Sequence, residues 1–191
     1  MFSTYLELGL RHIADFDAYD HMIFLLALTA VYQLIDLKKI VFLVTAFTLG
    51  HSLTLILATL KVMAVKSEYI EFLIPITILI TALTNIIRGG RAGKGSMGWK
   101  YFLAAFFGLI HGFGFSSYLQ ALLGSESDIF IPLLAFNVGV EIGQLAIVAV
   151  ILLLGNISFQ LFRFKHRDWI LVISGVCLGI SLILAKDTIF W

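Results

Sequence analysis

The sequence predicts an all-α fold, a polytopic integral membrane helix bundle, on three observations. Of its 191 residues 60% are hydrophobic and 13% charged, at a mean hydropathy of +1.02, where a soluble domain carries roughly a quarter charged residues. Six stretches stay apolar over about the 20 residues that a helix needs to cross a bilayer, or nearly so. None alternates polar with apolar residues over about ten positions, as the strands of a membrane barrel do.

In chain order, Phe2–Ile13 is too short to span; with Phe2, Tyr5, Leu6 and Ile13 it reads as an interfacial or partly inserted helix. The expected spans follow at 20–36, 40–62, 69–88, 100–123, 129–155 and 169–188. The first is the shortest and opens on the charged pair Asp20-His21. Pro75 and Pro132 each fall early in a span, where a proline disturbs a helix least. Cys177, the lone cysteine, lies within the last span and reads as packing. About six transmembrane helices plus the short N-terminal helix make a single transmembrane domain over 1–191. No basic leader precedes the first apolar run, so no cleavable signal peptide is expected.

Loop charges set the orientation. Lys38 and Lys39, then Arg88, Arg91, Lys94 and Lys100, then Arg163, Lys165 and Arg167 all fall in alternate loops, nine of the thirteen Lys and Arg. The other loops hold Lys61 and Lys66, then Glu126 and Asp128. The basic side is therefore cytoplasmic and both termini lie outside, in what reads as a bacterial inner membrane. These cations serve topology, and no nucleic-acid partner is expected. Gly89–Gly98 lacks the lysine-serine ending and the strand context of a phosphate loop.

Ionisable residues inside such spans are costly and usually face a bundle interior, where they bind ions, relay protons or do chemistry. Asp17, Asp20 and His21 are spaced i, i+3 and i+4, so one helix face can carry all three. Imidazole and carboxylate together suit borderline divalent metals, nickel and zinc among them. In the second span Thr45, Thr48, Ser52 and Thr59 form a narrow stripe with His51 at its border. Helix-to-helix contact or back-bonding to carbonyls accounts for Thr45 and Thr59; it does not account for His51. The fourth span places His111 between Gly108 and Gly112, and the fifth gathers Asn137, Glu141 and Gln144 within one arc, beside Gly139 and Gly143. Counting up from the basic side at about 1.5 Å per residue, His111, His51 and Glu141 sit roughly 16–20 Å deep, with Asp20 and His21 at roughly 25 Å, near the outer end. His166, among Arg163, Lys165 and Arg167, is expected to be a solvated loop residue.

These blocks carry a resemblance. Gly9-x-x-His12-Ile13, Asp20-His21-x-x-Phe24-Leu25, Thr45-Ala-Phe-Thr48-x-x-His51-Ser52, Phe107-Gly-x-x-His111-Gly-Phe-Gly-Phe and Phe136-Asn-x-Gly-x-Glu141-x-Gly-Gln144 occur in that order. Together the chain resembles the HupE/UreJ membrane proteins, which accompany hydrogenases and ureases and are held to be nickel permeases or accessory proteins. The resemblance implies a divalent-metal role, nickel first, for His12, Asp20, His21, His51, His111 and Glu141.

The function expected is therefore capture of a divalent transition metal, nickel or zinc, in an outward-facing His/carboxylate cavity, followed by transport across the lipid bilayer. Metal ligands are expected at His12, Asp17, Asp20, His21, His51, His111 and Glu141, with Thr48, Ser52, Asn137 and Gln144 in support. The competing reading is an intramembrane zinc-dependent hydrolase of a lipid, amide or peptide bond, with Glu141 as its general base. The six spans show no inverted repeat in sequence, and the likeness of Phe47–His51 to Phe107–His111 would make a parallel one. Gly-x-x-x-Gly faces, Gly175/Gly179 among them, allow packing within a protomer or in a homo-oligomer. Metalloenzyme assembly proteins are the remaining partners that the resemblance suggests.

Overall fold

The computed structural model describes residues 2–15, 19–63, 65–89, 96–123 and 129–190. Asp17, Arg91, Lys94, Glu126 and Asp128 lie outside the described residues. Among the described residues seven α-helices follow one another: α1 Phe2–Ile13, α2 Asp20–Thr29, α3 Leu37–Thr59, α4 Ser67–Ile87, α5 Met97–Leu123, α6 Phe130–Leu161 and α7 His166–Asp187. A 3-10 turn over Leu34–Asp36 leads into α3. Five helices, α3 to α7, are long and apolar enough to cross a membrane, so the molecule is a polytopic membrane helix bundle.

The first expected span looks different from its sequence. Only ten residues of 20–36 form α2, about 15 Å of helix and half a bilayer. Near the basic end of α4, Asn85 Nδ2 donates to Ala27 O at 2.8 Å, so α2 descends to that side. The short α1 runs parallel to α6: Gly139 faces Leu6 and Leu10, and Gly143 faces Leu10 and Ile13 further along. Laid end to end, α1 and α2 supply about 33 Å. That total is about the length of one crossing, divided between two short helices. Interrupted helices of this kind recur at the substrate sites of secondary transporters.

Two helix crossings hold the bundle together, and both put backbone on backbone. A Cβ added to Gly9 would stand 2.1 Å from Phe136 O, and one on Gly139 would stand 2.1 Å from Leu6 O. Between α3 and α5, a Cβ on Gly50 would stand 2.0 Å from Ala105 O and one on Gly108 would stand 2.1 Å from Phe47 O. Only glycine admits such approach, the small-xxx-small packing of membrane helices.

The two crossings are the same crossing. Lay α1 on α5 with Gly9 over Gly108, and α6 on α3 with Gly139 over Gly50. Then the contacts of Gly9 with Phe136 O and Val140 N fall on those of Gly108 with Phe47 O and His51 N. Those of Gly139 with Leu6 O and Leu10 N fall on those of Gly50 with Ala105 O and Leu109 N. The Ile13–Gly143 contact falls on the Gly112–Thr54 contact. The superposed helices run in opposite directions through the membrane; α4 and α7 pack on each other beside them, with Phe190, just past the end of α7, against Tyr69. The repeat is therefore inverted, where the sequence suggested none.

Candidate metal centre

The break in the first crossing positions the histidines. His12 ends α1 and His21 opens α2, so both project where the helix is interrupted. His51 comes from the middle of α3 and is fully buried, as is His111 of α5. Ring centroids separate His12 from His21 by 4.7 Å and from His51 by 5.7 Å. His21 lies 6.2 Å from His51 and 5.3 Å from His111. One nitrogen each from His12, His21 and His51 falls within 4.8 Å of the others. His21 thus sits level with His51, deeper than the sequence count placed it, because α1 supplies the outer half of its crossing.

Hydrogen bonds fix which nitrogens are free. Asp20 Oδ1 accepts from His21 Nδ1 at 3.1 Å and from the His21 backbone N–H at 2.9 Å. Phe107 O accepts from His111 Nδ1 at 2.8 Å. In both rings the proton is therefore on Nδ1 and the lone pair on Nε2. Asp20 acts on the ring rather than beside it, in the carboxylate–histidine arrangement that orients metal ligands. Among the described residues, His12 Nε2, His21 Nε2 and His111 Nε2 are buried without a partner at hydrogen-bonding geometry, as are both nitrogens of His51 apart from a loose pairing with Asn137.

Glu141 stands elsewhere. Thr45 Oγ1 donates to its Oε1 at 2.6 Å, and Thr48 Oγ1 donates to its Oε2. Thr48 Oγ1 also lies 2.9 Å from Gln144 Oε1, while Gln144 Nε2 is buried without a partner. The hydroxyl proton goes to Glu141, so an amide turned to point Nε2 at Thr48 satisfies both groups. This oxygen-rich knot joins α3 to α6 a turn or more nearer the basic side than His51. Ser52 and Asn137 bond to their own helices, Ser52 Oγ to Thr48 O at 2.7 Å and Asn137 Nδ2 to Leu133 O at 2.8 Å.

Aromatic rings close the site above and below. Phe24 packs 4.9 Å from Phe47 and 5.0 Å from His111, on the basic side. Phe115 packs 5.1 Å from Phe136 and 4.0 Å from His12, on the other. An open basin lined by Leu8, Arg11, Asp15, Phe115 and Tyr118 reaches half-buried His12. Beneath Phe107 a cavity of about 120 Å³ faces the basic side, lined by Tyr32, Leu43, Thr84, Asn85, Arg88 and Lys100.

Residues 1–186 match the family described as HupE / UreJ protein. The chain belongs to the HupE/UreJ family. No curated protein and no solved structure matches it. HupE/UreJ proteins are known as nickel and cobalt accessory permeases, and membership supports a role in metal transport.

Of the residues singled out in sequence, the structure gathers His12, His21 and His51, sets His111 beside them and Asp20 behind His21, and puts Glu141 with Thr45, Thr48 and Gln144. Asp17 lies outside the described residues. His166 packs on Phe159 at 5.6 Å, far along the chain from the cluster. Two features went unread. Thr45 was assigned to helix contact although its i, i+3 spacing from Thr48 offers two hydroxyls to one carboxylate. Phe24, Phe47, Phe115 and Phe136 all stand in the blocks that carry the resemblance, but the sequence assigns them no role.

Proposed function

We propose that the protein carries a divalent transition metal, nickel first, from the outer basin to the basic side of the membrane, using His12, His21 and His51 as first ligands and His111 as the next. The observation that carries this reading is the gathering of one imidazole nitrogen each from His12, His21 and His51 within 4.8 Å of one another. Leaving one buried polar group unsatisfied costs about 1–3 kcal/mol, and a cation that takes one nitrogen from each of these rings would relieve that cost. Neutral nitrogen donors without thiolate suit nickel, cobalt or zinc. Two nitrogens on a shared tetrahedral ion stand about 3.4 Å apart, closer than the spread of up to 4.8 Å here. Asp20, through His21, shares the charge of the bound ion, and loading releases any protons that the imidazoles hold.

Elemental analysis of untagged, detergent-purified protein, with nickel titrated against zinc, tests binding; nickel uptake into sealed proteoliposomes tests carriage. His51→Ala and His111→Ala are expected to lose bound metal while the protein stays inserted, and His166→Ala to change neither binding nor uptake. Unchanged stoichiometry in both of the first two variants overturns the site. Tight, non-exchanging zinc with no vesicle loading, and lipid hydrolysis that Glu141→Gln abolishes, would overturn carriage in favour of a hydrolase.

A further inference from the structure

The inverted repeat pairs residues that differ in kind. With Gly50 over Gly139, Thr48 of α3 falls on Asn137 of α6, and Ser52 falls on Glu141. The bond from Thr48 to Glu141 therefore has a counterpart across the pseudo-twofold axis, a contact between Asn137 and Ser52. The first is made: Thr48 Oγ1 donates to Glu141 Oε2 on the basic side of the histidines. The second is not, since Ser52 and Asn137 each bond back to their own helix. Asn137 pairs loosely with the His51 ring instead, its buried Oδ1 falling outside strict hydrogen-bonding geometry.

We propose that these are the two latches of an alternating carrier, the inner one, Glu141–Thr48, closed here and the outer one, Ser52–Asn137, open. The α1·α6 pair and the α3·α5 pair each touch backbone to backbone, so each moves as a unit, and α3 meeting α6 is where the units part. Rocking one pair against the other breaks Glu141–Thr48 and brings the Ser52 hydroxyl onto Asn137 Oδ1. The aromatic pairs follow the same rule, because Phe47 falls on Phe136 and His111 on His12. The distances are close, 5.1 Å for His111–Phe47 and 5.7 Å for His12–Phe136. Phe24 and Phe47 are fully buried and shut the inner side, while Phe115 is only half-buried beside the outer basin. The chain as observed is the outward-facing member of the pair. What is carried rests on the permease reading; the motion does not.

The test uses full-length protein in lipid nanodiscs, with Cys177→Ala and a protease site between residues 90 and 95. The Ser52→Cys/Asn137→Cys pair, cross-linked by a short bifunctional maleimide, holds the cleaved halves together on a gel. Thr48→Val is expected to speed that cross-linking about tenfold, as loss of a bond to a carboxyl group shifts the balance toward the other state. An independent readout leaves Ser52 and Asn137 intact: a thiol reagent should label Ala104→Cys, in the inner cavity, faster by a similar factor when Thr48→Val or Glu141→Gln is present. Rates unmoved by either substitution in both assays overturn the proposal. Neither assay needs metal, so a protein that cross-links as expected but binds no nickel sinks the permease reading alone.

Discussion

At the scale of single residues the strongest statement concerns Asp20. Its carboxylate takes the His21 Nδ1 proton at 3.1 Å, which leaves Nε2 as the only nitrogen of that ring able to meet a cation. Asp20→Asn keeps the shape but removes the charge. Loss of such an outer partner typically costs 10–100-fold in metal affinity, so nickel titration should show an affinity lower by about that factor with the same number of sites. A variant that binds as tightly as the native protein would show that Asp20 does no more than start α2. Acid should act on the whole cluster, because a ring that holds two protons has no lone pair to offer; bound metal is expected to be lost on acidification in the same titration and regained on return to neutral pH. The sequence exposed the residue types here, since histidines and carboxylates inside apolar runs are conspicuous. It could not expose which of them meet. Glu141 and His51 looked alike in depth, and only the threonines facing Glu141 separate the two.

At the scale of helices, the long apolar runs made α3 to α7 legible, with ends displaced by a few residues. The first crossing was not legible, because neither α1 nor α2 reaches spanning length and each borrows its burial from α6 or α4. The glycine crossings give this scale its test. Gly50→Ala puts a methyl carbon 2.0 Å from Ala105 O, and the neighbour is backbone, with nowhere to move. Gly175, by contrast, has nothing within 4 Å of an added Cβ. Thermal unfolding in detergent should show Gly50→Ala markedly destabilised, by at least the 1–3 kcal/mol typical of overpacking. Gly175→Ala should match the native protein or exceed it slightly, since alanine favours helix over glycine by about 1 kcal/mol. Equal transitions for the two would mean that α3 and α5 do not cross where described.

Over the whole molecule, the correspondence between halves stayed hidden because it lives in backbone contacts, not in shared side chains. Glycine falls on glycine, but threonine falls on asparagine and serine on glutamate, and no alignment by residue type would pair them. The same view sets the two mouths of the path against each other. The outer basin holds Asp15 and an Arg11 already paired with Glu7 at 2.6 Å, whereas the inner cavity is edged by Arg88 and Lys100. A divalent ion arriving from the basic side is repelled before it reaches any ligand. Fixed charge of this kind cannot drive accumulation, since a passive carrier must return to the same equilibrium from either direction. It can only make the two faces unequal. Half-saturation measured from the basic face should exceed that from the opposite face, offset by a proportionally higher maximal rate, so that trace nickel crosses equally fast both ways and the two directions part only as nickel approaches saturation.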